Sequence, residues 1–204
     1  MASAFPLARQ HDVRTHELYA PGALFTWAEL QSMAADGVLQ PLHGKSYVPS
    51  WPAITPRLRA RAAALLVPDR IRTKVIAGRM TAAWIYGCAE APERLSLLVD
   101  AKHRISSLRS TRDCILHEVR LGQMDVVSIG GLLVTSPLRT AVDVALHVEP
   151  DRALPALKSI LSMEDLGVRL RLVTLAVEAS PRVPFKKAAL RKLAALARVV
   201  ETAA

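Results

Sequence analysis

Apolar residues recur along FTWAELQSMAADG, residues 25–37, at the three- and four-residue spacing of an amphipathic helix. Thr26 is a good N-cap, and Glu29 three residues later completes a capping box. Gly37 is a natural C-terminal stop. The pattern therefore predicts a short helix with well-defined ends. The face predicted to be buried consists of Trp27, Leu30, Met33 and Ala34.

Segments on both sides of this helix predict its structural context. Residues 13–20, VRTHELYA, favour another short helix that ends at Pro21-Gly22. Residues 38–42 and 45–49 are typical of two strands that turn at His43-Gly44. Two short helices joined by a Gly-containing turn and followed by a strand pair outline a winged helix-turn-helix.

The rest of the chain mixes strand and helix patterns and ends in helices. Helices are predicted near 55–66, 81–87, 136–147, 151–162, 164–178 and 184–200, and strands near 70–77, 94–101, 114–121, 126–129 and 132–136. The Pro-rich stretch 48–56 is the best domain boundary. The predicted fold class is α+β, with a winged helix-turn-helix at 1–55 and a mixed α/β domain at 56–204 that ends in helices.

Two of these helices also give predictions about burial. In the helix near 136–147, Ser136 is the expected N-cap and Pro137 occupies the first position, where its missing N–H costs nothing. Leu138 falls on the predicted buried stripe, whereas Arg139 and Asp143 are predicted to form an exposed i,i+4 pair. In the helix near 55–66, the residues predicted to face inward are Leu58, Ala62 and Leu65.

Composition indicates a soluble protein with an acidic partner. The formal net charge is +9 and the sequence pI is about 10.1, which favours nucleic acid, an anionic membrane or an acidic protein surface. All of the positive excess lies after residue 50. No apolar run is long enough to span a membrane and no signal-peptide pattern begins the chain, so we expect a cytoplasmic protein. Cys88 and Cys114 have no metal-ligand or disulfide spacing and are predicted to be buried and inert.

The predicted DNA-contacting residues lie around the helix predicted at residues 25–37. That helix carries Glu29 and Asp36 but no cation, so only Gln31 and Ser32 are predicted to reach base edges. Phosphate contacts are predicted from the nearest basic residues, which are Arg14, His43, Lys45, Arg57, Arg59 and Arg61. An alternative is that the same fold serves as a protein-contact module.

Two later basic segments are candidates for binding either DNA phosphates or an acidic partner. One is a predicted exposed loop with Lys102, Arg104, Arg109 and Arg112, and the other is one face of the last helix with Lys187, Arg191 and Arg198. An ordinary solvated surface is the alternative for both. Of the three tryptophans, Trp51 is the one predicted to be exposed, with base stacking as a minor possibility.

The sequence carries no motif that predicts catalysis, a metal site or a cofactor. His11 and His16 would point about 140° apart on a helix, so they do not easily share a metal ion. No histidine has a recognisable nucleophilic partner, and Gly130-Gly131 lacks the Lys-Ser/Thr of a phosphate loop. We therefore expect no enzymatic activity and no cofactor.

Three segments resemble the AbiEi-type antitoxins: LQSMAADGVLQPLHGKSYVP, TAAWIYG and, most specifically, DVVSIGGLLVTSPLRTAVDVALH. The resemblance implies an antitoxin of a type IV toxin–antitoxin system. Its implied partners are operator DNA, which it binds as an autorepressor, and a nucleotidyltransferase-like toxin. Many relatives have an Arg-rich recognition helix, and this chain does not. The alternatives are a module that neutralises a partner by direct binding with little DNA binding, and a transcription regulator unrelated to a toxin.

Overall fold

The computed structural model describes residues 18–22, 24–51, 53–103, 110–180 and 184–201. Within these residues the helices are α1 Trp27–Ala35, α2 Pro56–Leu66, α3 Asp69–Arg72, α4 Arg79–Ile85, α5 Pro137–His147, α6 Pro150–Ser162, α7 Leu170–Ala179 and α8 Lys186–Glu201. The strands are β1 Leu39–His43, β2 Ser46–Pro49, β3 Ile76–Ala77, β4 Leu95–Asp100, β5 Cys114–Val119, β6 Val126–Ile129 and β7 Leu132–Thr135. The mixture of helices and sheets confirms the predicted α+β class.

The ends of α1 are fixed by the residues that predicted them. The Thr26 backbone N–H donates to Glu29 Oε2 at 2.7 Å, and the Glu29 N–H donates to Thr26 Oγ1 at 3.3 Å, which together form the capping box. At the other end Gly37 has a φ of +74°. The Val38 N–H then reaches the Met33 carbonyl at 2.9 Å, which closes a Schellman motif.

The strand pair after α1 is present, and the described part of the helix predicted before α1, residues 18–20, is not helical. β1 and β2 pair antiparallel, with Leu39 opposite Pro49. Tyr19 is extended and exchanges two 2.8 Å backbone hydrogen bonds with Tyr47 of β2. The prediction of helix is therefore wrong for residues 18–20, since pairing with β2 satisfies their backbone better than a helix end would. Residues 13–17 lie outside the described part of the chain, so the described residues show one helix before the hairpin, where a helix-turn-helix has two.

A five-stranded mixed sheet forms the centre of the remaining chain, in the order β5-β4-β3-β7-β6. The β3–β7 and β4–β5 pairs are parallel, and the β3–β4 and β6–β7 pairs are antiparallel. Gly130 and Gly131 join β6 to β7 with φ of +57° and +84°, as a tight hairpin turn requires. The predicted strand at 70–77 shrinks to β3, because Pro68 starts the short helix α3, in which Arg72 binds Asp69 at 2.6 Å.

Helices α2 and α4 contact this sheet, and α4, α6, α7 and α8 enclose α5. Every residue of α5 from Thr140 to Leu146 is buried, since α4, α6, α7 and α8 all contact it. The helix predicted near 164–178 is divided: Glu164–Leu166 forms a 3-10 turn, and Gly167 at a φ of +61° separates it from α7. Within the described residues, none of the helices is both long and apolar enough to cross a bilayer.

The described residues form two hydrophobic clusters. A small one consists of Leu30, Leu39 and Tyr47, and a large one fills the space between the central sheet and its helices. Cys88 and Cys114 are both buried in the large cluster, as predicted, and burial raises the pKa of each thiol. Leu65, which was predicted to face inward, is 52% exposed, because α2 turns that side toward solvent.

Candidate nucleic-acid interface

The outward face of α1 is polar and uncharged near its centre. Gln31 and Ser32 are exposed, while Leu30 between the cap and these residues is fully buried. Glu29 belongs to the capping box, and its hydrogen bonds from Thr26 hold the pKa of its carboxyl below the usual value. The helix thus presents an amide and a hydroxyl that can bond to base edges, and any phosphate contact has to come from other elements.

Lys45 is a cation that the fold brings next to α1. It follows Gly44, whose φ of +58° makes the hairpin turn, and its Nζ lies 5.7 Å from the centre of the Trp27 ring. Trp27 was predicted to be buried but is 48% exposed, because its ring covers the Lys45 side chain instead of the core. Since Trp27 lies one helical turn before Gln31, Lys45 sits beside the polar face.

Other residues predicted to contact DNA are engaged in packing. The His43 ring lies 4.8 Å from the Trp84 ring, and burial lowers its pKa. Its Nε2 is buried and has no hydrogen-bond partner in the part of the chain that the structure describes. Arg59 is half-buried, and a side chain at Gly87 would begin 3.0 Å from its Nη1. Burial also lowers the pKa of Arg59. Arg61 is partly buried, whereas Arg57 is exposed. Of the described residues around α1 that were predicted to contact DNA, the exposed ones are therefore Gln31, Ser32, Lys45 and Arg57.

The basic face predicted on the last helix is exposed, and it is separate from the structural lysines of that helix. Lys187, Arg191 and Arg198 are all exposed on α8. By contrast, Lys192 is buried and its Nζ donates to the Val148 carbonyl just after α5. Lys186 donates in the same way to the carbonyls of Glu178 and Ser180 at the end of α7. These two lysines stabilise helix C-termini and are not available to a partner.

The remaining predicted residues are only partly within the described chain. Lys102 and Arg112 are exposed at the two ends of the segment that joins β4 to β5. Arg14, Arg104 and Arg109 lie outside the described residues, as do His11 and His16. Trp51 is 81% exposed, as predicted.

A second polar cluster was predicted in part, but its environment was not. Arg139 Nε donates to Asp143 Oδ1 at 2.9 Å, so the predicted i,i+4 pair exists. The prediction that the pair is exposed is wrong, because Asp143 is only 3% exposed. Arg139 Nη1 also binds Asp125 at 2.6 Å, which ties α5 to the turn before β6. Leu138, which was predicted to be buried, is 38% exposed.

Three further members of this cluster have no sequence motif. Arg79 Nη1 lies 3.2 Å from His117 Nε2, although the two residues are far apart in the chain. Burial, followed by the charge of Arg79, lowers the pKa of both His117 and His147 to about 4. Both histidines are therefore neutral at pH 7, and Arg79 donates to a neutral imidazole. No local pattern in the sequence indicates that these residues form a cluster, because α4, β5 and α5 meet only in the folded chain.

Comparison with known proteins assigns the family. No curated protein matches this chain. The crystal structure of the RV2827C protein from Mycobacterium tuberculosis is similar at 14% identity and covers 81% of this chain and 69% of that one, but its TM-score of 0.34 is too low to relate the folds. The model of the AbiEi antitoxin C-terminal domain matches residues 76–196, more than half of the 204 residues. This chain therefore belongs to the AbiEi antitoxin family, whose members are the antitoxins of toxin–antitoxin pairs.

Proposed function

We propose that this antitoxin binds operator DNA in the cytoplasm as an autorepressor and counteracts a nucleotidyltransferase-like toxin. The observation that carries the DNA-binding part is the position of Lys45 over Trp27, next to the exposed Gln31 and Ser32. A glutamine amide can bond to adenine through two atoms, and a nearby ammonium can meet a phosphate. Repression by promoter occupancy requires affinity and register but no catalysis and no cofactor.

In this proposal the two domains, 1–55 and 56–204, make different contributions to DNA binding. The small cluster around Leu30 lies within the first domain, and the large cluster lies mainly within the second, with Leu18 and Leu42 of the first domain packed against it. Because α1 has no cation, the first domain supplies register, and much of the electrostatic affinity comes from basic residues after residue 50. Arg57, Lys102, Arg112 and the α8 face are the exposed candidates for that role.

We expect the full chain to retard DNA that carries its own promoter. Affinity should fall at least about tenfold between 50 and 200 mM salt, because each phosphate contact releases counterions. Electrophoretic mobility or fluorescence anisotropy at several salt concentrations measures this, with a scrambled duplex of equal length as control. Unchanged promoter mobility at micromolar protein and low salt would refute DNA binding.

The charge-reversed variant Lys45→Glu sharpens this experiment. Its promoter affinity should drop about three- to tenfold and the slope against salt should decrease by about one, since one phosphate contact is lost. Lys158→Glu makes the same charge change at an exposed site on α6 and is the matched control. Equal affinity of the two variants would exclude Lys45 from the interface. The melting temperature of both should stay near that of the wild type, apart from the weak Trp27 contact.

A second candidate function is neutralisation by direct binding of an acidic partner through α8, which the exposed Lys187, Arg191 and Arg198 favour. Changing all three residues to Gln decides between the two uses of that face. If the face contacts DNA, promoter affinity falls at least about tenfold and its salt dependence flattens. If it contacts the partner, promoter affinity stays and rescue from the toxin is lost. Arg152, Arg169 and Arg171, which are also exposed, form the matched control triple. If neither property differs from the control, the face is solvated surface.

A further inference from the structure

The polar cluster on α5 lines a cavity of about 660 Å³ that the proposed DNA-binding function does not use. The cavity lies between the start of α5, the end of β5 and the end of α7. Its polar wall contains Arg79, Ser136, Arg139, Asp143 and His147, and its apolar wall contains Leu138, Val142 and Leu146. This combination of a few converging polar groups with an aliphatic wall is typical of a small-molecule site.

Arg79 is a cation of this cavity whose closest polar side-chain contact within the described residues is an imidazole ring and not a carboxylate. Arg139 shares its charge between Asp125 and Asp143, whereas Arg79 contacts the neutral ring of His117. Among the described residues, Arg79 Nε is buried and has no hydrogen-bond partner. The guanidinium edge that carries Nε is suited to side-on binding of an oxyanion. The backbone of Arg79 has a φ of +52°, a disfavoured value for a long side chain and a kind of strain that is concentrated at functional sites.

Asp143 adds an acceptor to the same cavity. Its Oδ1 binds Arg139, but its Oδ2 is buried and accepts no hydrogen bond from the described residues. A buried carboxylate oxygen without a donor is costly, so a ligand that donates a hydrogen bond there is favoured. Two more carboxylates, Glu118 and Asp125, and a third guanidinium, that of Arg120, also line the cavity, and Asp125 is held by Arg139. The charges are therefore balanced, and the ligand is selected by hydrogen bonding more than by charge alone.

The start of α5 supplies a third feature. Ser136 is the N-cap, yet its side chain makes no capping hydrogen bond, and it lies in the wall of the cavity. The backbone N–H groups at the start of an 11-residue helix favour an anion at this end. The Ser136 hydroxyl can donate to the same anion.

We propose that this cavity binds an anion that also carries an O–H donor, of which monohydrogen phosphate is the simplest. Its charged oxygens bind Arg79 and the start of α5, and its O–H donates to Asp143 Oδ2. Sulfate has a similar size and charge but no O–H, so the Asp143 carboxylate discriminates against it. A nucleoside 5′-monophosphate offers the same chemistry, with the donor on its ribose.

The test is calorimetric titration of the full chain at pH 7.5 with sodium phosphate, sodium sulfate and a nucleoside 5′-monophosphate. Phosphate should bind at least tenfold more tightly than sulfate. Tighter binding of the nucleotide than of phosphate identifies an ester as the ligand, and weaker binding identifies free phosphate. The proposal is overturned if neither phosphate nor the nucleotide binds, or if phosphate and sulfate bind with equal affinity. Both outcomes are measured on the wild-type protein.

Two variants locate the site. Arg79→Asn removes the guanidinium at a backbone position that Asn tolerates, and it should weaken phosphate binding at least tenfold. Arg171→Asn removes an exposed arginine from α7 and should leave binding unchanged. Asp143→Asn keeps an acceptor for Arg139 but places an amide donor where Oδ2 was, so sulfate should then bind as well as phosphate. Phosphate affinity that is equal in the Arg79 and Arg171 variants contradicts the site.

Discussion

Replacing Arg139 by Ala should lower the free energy of unfolding by about 3 to 5 kcal/mol. Arg139 makes both ion pairs of the buried cluster, at 2.9 Å to Asp143 and 2.6 Å to Asp125. Its removal leaves the carboxylate of Asp143 buried without its ion-pair partner, and breaking one partner of a buried pair costs about this much. Urea denaturation followed by circular dichroism measures the change.

Two further variants separate the ion pair from simple loss of packing. The double replacement Arg139→Met with Asp143→Leu removes both charges and keeps most of the volume, so it should cost much less than Arg139→Ala. Leu138→Ala, next to Arg139 but 38% exposed, should cost about 1 kcal/mol or less and serves as the control for α5. A loss below about 1 kcal/mol for Arg139→Ala would mean that solvent already screens this cluster.

Local signals predicted those elements whose ends are determined by neighbouring residues. The Thr26–Glu29 capping box, the Gly130-Gly131 turn and Pro137 at the start of α5 each act within a few residues, and each is found where it was predicted. Local signals gave a wrong prediction for residues 70–75, where basic and apolar residues alternate as they do in a strand. The structure instead has the short helix α3 there, because Pro68 and the Asp69–Arg72 ion pair favour a helical turn. Local signals also gave a wrong prediction for residues 18–20, where pairing with β2 decides the conformation.

Burial and charge environment could not be predicted, because they depend on contacts between distant segments. The Arg139–Asp143 pair follows from helical spacing, but its burial depends on α7 and α8 packing against α5. The sequence predicts His43 to be an exposed turn residue. In the structure its ring packs against Trp84, which lies more than 40 residues later in the chain. The contact of Arg79 with His117 joins α4 to β5 and has no signal in either segment. Sequence reasoning thus located the candidate DNA-contacting helix but not the cavity.

The buried histidines make stability depend on pH. In the unfolded chain a histidine binds a proton near pH 6.5, whereas in the folded chain His117 and His147 do so only at about pH 4. Between these values the unfolded state binds more protons, so the free energy of unfolding falls as the pH falls below about 6.5. The raised pKa of Asp143 acts in the opposite direction, because the folded state holds that proton more tightly than the unfolded state does.

We therefore expect the free energy of unfolding to drop by about 2 kcal/mol between pH 7 and pH 5, or about 1 kcal/mol for each histidine. This is about half of the full linkage value, since both rings are partly exposed and solvent screens them. Urea titrations at pH 7, 6 and 5 measure the drop, and the double variant His117→Gln with His147→Gln should remove most of it. His43→Gln is the comparison variant, because burial lowers the pKa of His43 less than it lowers those of His117 and His147, so this variant should remove a smaller share of the pH dependence. A pH dependence that survives in the double variant would place the responsible protons on other groups. Loss of most of the dependence in that variant, with a smaller change in the His43 variant, would instead assign it to His117 and His147, whose pKa values are lowered first by burial and then by the charge of Arg79.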